Sequence, residues 1–251
     1  MIVIKTPEEL ARMRVSGRLA AEVRDELARR IGPGVTTAEL DDLARELIAR
    51  HGGHSAFFGY RGYPGHICVS VNDEVVHGIP GPRRIQVGDI VSLDVGVVYE
   101  GYIGDTAATV MVGVSDPEVM RLVSVGRRAL EAAIAQAVAG GRLSDISHAI
   151  ESTASEAGYS VVRDFVGHGV GKTMHEDPQI PNFGPPGHGP RLKPGMTLAL
   201  EPMINRGRFE VDVMPDGWTV RTRDRGLSVH FEHTIAIGEG AAEVLTCPGP
   251  K

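Results

Sequence analysis

The sequence predicts an α+β fold built on an antiparallel sheet, and three observations lead there. Helical stretches come in pairs, each pair followed by a strand-rich stretch, and this order occurs twice. Two apolar runs, residues 90–99 and 102–110, meet at Glu100-Gly101 as a hairpin. The segment Gly88-Asp89-Ile90-Val91-Ser92-Leu93-Asp94 recurs 107 residues later as Gly195-Met196-Thr197-Leu198-Ala199-Leu200-Glu201, with a turn glycine ahead of an acid each time. Two copies imply pseudo-twofold halves of about 1–114 and 115–251 within one domain spanning residues 1–251.

Thr6-Pro7-Glu8-Glu9 reads as an N-cap, a proline at the first helical position and an acid at the third. That helix runs to about Arg30, where Gly32-Pro33-Gly34 stops it. Thr37 reads as the cap of a second helix over 38–51, ended by Gly52. Residues 53–110 break short apolar runs with glycine and proline, the pattern of strands. Asp116-Pro117-Glu118 opens a third helix that Gly140-Gly141 closes. Ser144, 107 residues after Thr37, reads as the cap of a fourth over about 145–157, ended by Gly158. Strands follow from 159, with a proline- and glycine-rich loop at 177–190. No heptad pattern is sustained, which excludes a coiled coil.

A chain of 251 residues, 42% hydrophobic, can bury a substantial core. Its net charge of −6, with no lysine- or arginine-rich run, argues against a direct nucleic-acid role. No segment approaches the ~20 apolar residues of a membrane span, and the start lacks the basic-then-apolar pattern of a secretory signal. Cys68 and Cys247 make no disulfide framework, as expected in a reducing cytoplasm.

The acids carry the chemistry. Asp94 follows Ile90-Val91-Ser92-Leu93, and Glu201 follows Met196-Thr197-Leu198-Ala199-Leu200. A carboxylate buried in such a run without a partner is costly. If Tyr99 faces Tyr102 across the hairpin, Asp94 faces Ala107, and Asp105 is its diagonal neighbour on the same face. Diagonal neighbours lie roughly 7 Å apart, a separation suited to a metal pair spaced about 3.5–4 Å. Asp94, Asp105, Glu201 and Glu232 with His168 would hold two divalent cations. Taken singly, each has a plain reading: Gly167 and Gly169 beside His168 suit a turn, Glu201 before Pro202 can end a strand, and Glu232 between Phe231 and His233 can sit in a salt bridge.

The motifs also match a known family. Asn72-Asp73-Glu74-Val75-Val76-His77-Gly78-Ile79-Pro80, Ser92-Leu93-Asp94-Val95-Gly96, Gly104-Asp105-Thr106-Ala107, Gly167-His168-Gly169-Val170-Gly171, Met174-His175-Glu176, Leu200-Glu201-Pro202-Met203 and Phe231-Glu232-His233-Thr234 resemble type I methionine aminopeptidase over essentially the whole chain. The resemblance implies the pita-bread fold and removal of the initiator methionine from nascent proteins when the second residue is small. It implies hydrolysis by a water or hydroxide bridging two divalent metals (Co, Mn, Fe or Zn), with Asp94 on one, His168 and Glu201 on the other, and Asp105 and Glu232 bridging. A monovalent cation on the carbonyls of Asn72, Glu74 and Ser228 is implied as well. Glu201 would also accept a proton. His77 and His175 would face the substrate, and Tyr60, Tyr63, Cys68 and Trp218 would form the methionine pocket. The implied setting is cytoplasmic and monomeric, on nascent N-termini at the ribosome.

Phe57, Met174 and His230 depart from residues common in the family, where cysteine, an aromatic and an amide are frequent, and all three are expected at the pocket rim. Two rival readings fit the same motifs less well. A proline-specific peptidase of this fold usually carries an added N-terminal domain, for which this length leaves no room. A non-catalytic peptide-binding module would have lost ligands, whereas all five are present.

Overall fold

The computed structural model describes residues 1–248. Helix α1 (Pro7–Arg30) opens on a capping box in which the Thr6 hydroxyl accepts from the Glu9 amide and the Glu9 carboxylate accepts from the Thr6 amide. Helix α2 (Thr37–Arg50) repeats this with Thr36 and Glu39. The cap is therefore Thr36, because Glu39 lies three residues beyond it; the Thr37 hydroxyl bonds to the Gly81 backbone instead. Helix α3 (Pro117–Gln136) is capped by Asp116 and ends before Gly140. Helix α4 (Leu143–Glu156) has Arg142 at its N-cap position, and the Arg142 amide donates to Asp145. The expected cap Ser144 serves elsewhere, accepting from the His188 amide.

A nine-stranded sheet holds β1 (His54–Ser55), β2 (Cys68–Val71), β3 (Ile90–Tyr99), β4 (Tyr102–Met111), β5 (Gly167–Gly169), β6 (Glu176–Ile180), β7 (Thr197–Leu200), β8 (Glu232–Ala236) and β9 (Glu243–Val244). Its order is β1-β3-β4-β8-β7-β5-β6, with β2 beside β3 and β9 beside β8. Two three-stranded sheets complete the fold. In the β3–β4 hairpin Tyr99 pairs with Tyr102, Asp94 with Ala107 and Gly96 with Asp105, with no bulge. Glu100 and Gly101, at φ of 47° and 79°, make the tight turn that pins this register. Strand β6 occupies the start of the segment expected to be loop. It pairs with β5 despite Pro178, since only a few backbone positions need to bond.

The repeat is visible in the backbone. Gly34 donates to the Ile85 carbonyl and Gly140 to the Leu192 carbonyl. Isolated bridges join Thr36 to Arg84 and Arg142 to Arg191. Gly88 and Gly195 share φ near 90°, at 97° and 86°.

Two cores lie side by side on the face of the sheet turned away from the acids. Leu19, Val23, Leu27, Leu40 and Ile48 of α1 and α2 pack on Val91, Leu93, Val95 and Val97 of β3. Leu122, Leu130, Ile146 and Ile150 of α3 and α4 pack on Leu198, Leu200 and Ile235. Each such burial is worth ~1.5–3 kcal/mol. Because alternate residues of β3 face the helices, Ser92, Asp94 and Gly96 face the other way. Helix α1 seats tightly on β4, where a Cβ on Gly104 would fall on the Gly17 backbone. That seat fixes the neighbour of Gly104, Asp105, toward the opposite face.

Candidate metal centre

Adjacent strands bring the predicted ligands together. Glu232 opens β8 opposite Ala107 of β4, His168 is central in β5 opposite Ala199 of β7, and Glu201 directly follows β7. His168 Nε2 lies 3.8 Å from Asp105 Oδ2 and 3.5 Å from Glu201 Oε1. Donor atoms of Asp105, His168 and Glu232 all lie within 4.8 Å of one another. Asp94, Asp105, His168 and Glu232 are all buried. The glycines flanking His168 make no turn. They admit neighbouring backbone, for a Cβ on Gly167 would meet the Ala199 carbonyl and one on Gly169 the Asp177 carbonyl.

The electrostatics of this cluster call for a cation. His168 Nδ1 is 2.9 Å from the Gly169 carbonyl, which can only accept, so Nδ1 carries the proton and Nε2 turns a lone pair toward carboxylates. Asp94 Oδ1, Asp105 Oδ1 and Glu232 Oε1 are buried without a hydrogen-bond partner. Burial pushes the Asp94 carboxyl up to about 7. Burial, and then the charge of neighbouring carboxylates, holds Asp105, Glu201 and Glu232 well above the usual range, against a weaker opposing pull of Arg24 on Glu232. Burial, and then His175, pushes His168 down to about 4. Acceptors aimed at acceptors in a dry site suit a divalent cation, and oxygen donors with one imidazole suit Mn, Fe, Co or Zn.

The cluster lies in a cavity of about 200 Å³ whose lining includes all eleven residues singled out from the sequence: Asp94, Asp105, His168, Glu201, Glu232, His77, His175, Tyr60, Tyr63, Cys68 and Trp218. His77 adopts a left-handed φ of 59°, a strained state for a histidine. Its ring meets Phe165 edge-on at 5.5 Å and Trp218 at 6.1 Å, and burial pushes it down to about 4. His175 Nδ1 is 2.8 Å from the Tyr60 hydroxyl, and burial followed by Arg61 lowers its pKa. Cys68 stands opposite Asp94 in the sheet, and burial with that acid keeps its thiol protonated, which rules against it as a nucleophile. The Tyr63 hydroxyl reaches the Ile67 and Gly78 carbonyls, and its ring meets Trp218 at 5.0 Å.

Phe57 and Met174 line the cavity as expected of rim residues. His230 does not: it is 2% exposed, behind Glu201, with Nε2 3.8 Å from Glu201 Oε2. Arg61, Val76, Phe165 and Val166 line the cavity and were not singled out from the sequence. Arg24 was also missed. It is buried on α1 and donates to the Thr106 hydroxyl, which donates to the Glu232 carbonyl. An arginine within an otherwise apolar helical face was its one available signal. The Asn72 carbonyl accepts from the Ser228 amide at 2.9 Å, so two of the three proposed monovalent-cation carbonyls belong to neighbouring backbone.

The profile of metallopeptidase family M24 matches residues 11–239. Methionine aminopeptidase 1 of Bacillus subtilis is 50% identical over 98% of this chain and 99% of its own. The crystal structure of methionine aminopeptidase from Rickettsia prowazekii superposes with a TM-score of 0.97 at 42% identity, covering 98% of this chain and all of that one. The Thermotoga maritima enzyme gives 0.97 at 48% identity, covering 98% and 99%. Prolidase from Pyrococcus furiosus, at 24% identity and a TM-score of 0.80 over 99% of this chain and 66% of that one, shares the fold alone. The architecture is thus the pita-bread α+β arrangement. Among the described residues no helix is long and apolar enough to cross a membrane.

Proposed function

The chain belongs to metallopeptidase family M24, among its type I methionine aminopeptidases, and from that premise we propose how its residues share the work. It is a metal-dependent aminopeptidase acting on protein N-termini. The finer reading is that it removes initiator methionine when the second residue is small, with two divalent ions. Asp94 would hold one, His168 and Glu201 the other, and Asp105 and Glu232 both. When bound, such ions lower the pKa of water and polarise a carbonyl.

The remaining steps belong to side chains. Glu201, its pKa raised by burial and by Asp105, accepts the proton that the attacking water loses. If the Tyr60 hydroxyl donates to His175 Nδ1, the His175 proton sits on Nε2, ready to donate to the oxygen on which charge develops. His77, kept neutral by burial, faces the departing amide. Tyr60, Tyr63, Cys68 and Trp218 take the methionine side chain, since aromatic rings and a thiol pack well around a thioether.

The observation that supports this most is the set of unpartnered carboxylate oxygens around the His168 lone pair, beside an aromatic-lined cavity. We further read the chain as one catalytic domain, cytoplasmic and monomeric, working on nascent chains at the ribosome. A monovalent cation on the Asn72, Glu74 and Ser228 carbonyls belongs to the same reading. The test is hydrolysis of Met-Ala-Ser beside Ala-Pro and Leu-Gly, with Co, Mn, Fe and Zn added in turn and metal equivalents counted. Cleavage of Met-Ala-Ser alone, abolished by a chelator, is expected. Preferential cleavage of Ala-Pro would overturn the reading in favour of a proline-specific peptidase.

A further inference from the structure

We propose that His230 is a positioning residue for Glu201: its Nε2–H, facing the Glu201 oxygen turned away from His168 from just beyond hydrogen-bond distance, orients the carboxylate toward the metal by electrostatic attraction. The inference rests on the reading of Glu201 as a metal ligand. Two imidazoles bracket the one carboxylate, His168 Nε2 at 3.5 Å from Oε1 and His230 Nε2 at 3.8 Å from Oε2. His230 is 2% exposed, and neither ring nitrogen has a hydrogen-bond partner. A buried polar group left unmatched is costly, so an imidazole there needs a use that a leucine would not serve.

Placement separates His230 from the ligands. It does not line the cavity, whereas all five proposed ligands do. Substrate therefore does not reach it, and it acts through Glu201. Its backbone is clamped to the hairpin, the amide donating to the Thr109 hydroxyl at 2.9 Å and the carbonyl accepting from that hydroxyl at 3.0 Å. A neutral imidazole has one N–H, and a carboxylate beside Nε2 selects the tautomer that carries it there. Partners of this kind orient metal-binding carboxylates and raise metal affinity.

The test replaces His230 three ways and reads cobalt(II) rather than turnover alone. H230Q puts an amide N–H near the Nε2 position, H230N puts one near Nδ1, and H230L has none. Cobalt affinity by chelator competition and the visible spectrum of the cobalt protein are measured for each. H230L and H230N should bind cobalt roughly 10–100-fold more weakly, with an altered spectrum, while H230Q stays close to the parent. Parental affinity and spectrum in H230L would overturn the proposal, as would H230N and H230Q that cannot be told apart. Should H230L fail to fold, the two amides decide. E201Q separates the premise from the inference. Its binding cobalt like the parent removes Glu201 as a ligand, whereas weak binding in E201Q with parental binding in H230L removes only the role of His230.

Discussion

The Tyr60 hydroxyl lies 2.8 Å from His175 Nδ1, so one residue of the cavity lining sets the hydrogen-bonding of another, a histidine packed 4.4 Å, ring to ring, from His168. With the hydroxyl as donor, the imidazole proton is directed to Nε2 and into the site.

Tyr60→Phe removes that constraint and leaves the aromatic ring in the cavity lining. kcat should fall roughly tenfold with KM little changed, because the loss is felt where charge develops. His175→Ala should cost about 10²–10³ in kcat, with metal content unchanged. A raised KM at normal kcat in either variant would make His175 a substrate contact only.

Asp94→Asn and Glu232→Gln should abolish hydrolysis and weaken metal binding, yet leave the metal-free fold as stable as before or more so. Each removes a buried charge that repels its neighbours. The parent should gain about 2.7 kcal/mol at metal concentrations of 100 times Kd. Calorimetric melting with and without metal checks this, and a parental metal-induced rise in Tm for both variants would count against these ligands.

The metal-free protein should lose stability as pH rises above about 6.5. Carboxyls with folded pKa values raised above their unfolded ones stabilise at low pH, and that contribution disappears as pH climbs through the folded values, about 7 for Asp94. The buried histidines, lowered to about 4 for His77 and His168, act in the opposite direction, but their contribution is complete above the unfolded value of 6.5. Only the acids remain to act in that window. Denaturant melts between about pH 6.5 and 8 should show the decline, and bound metal should flatten it.

Gly104→Ala should destabilise by ~1–3 kcal/mol, a shift of several degrees in Tm, because its methyl would fall on the Gly17 backbone rather than on a side chain that can rotate. Metal affinity should drop with it, since Asp105 is the next residue. Unchanged melting would mean that α1 lifts freely from the sheet.

How much was legible follows from what sets each feature. The hairpin register could be read because a two-residue turn at Glu100-Gly101 fixes every pair beyond it, from Tyr99–Tyr102 to Asp94–Ala107. The acids stood out because charge in an apolar run is rare. Helix starts slipped by one or two residues, the caps being Thr36 and Arg142 where Thr37 and Ser144 were expected, because tertiary bonds to Gly81 and His188 engage the expected side chains. Strand β6 hid behind Pro178 because pairing with β5 is a long-range contact with no local pattern. Phe165 and His230 show the same limit, since a residue type does not announce which wall of a cavity it faces.

The joining of β4 to β8 has a consequence for how the molecule is made. The hydrogen bond from the Thr106 hydroxyl to the Glu232 carbonyl closes a span of 126 residues. A chain still growing past the first hairpin carries Asp94 and Asp105 but not yet His168, Glu201 or Glu232, and two acids alone make a poor chelator. Contacts this distant in sequence form late and slowly. On the proposed ligand set, metal uptake would follow closure of the sheet instead of seeding it. The loaded centre is in effect a certificate that nearly the whole polypeptide has been synthesised and folded.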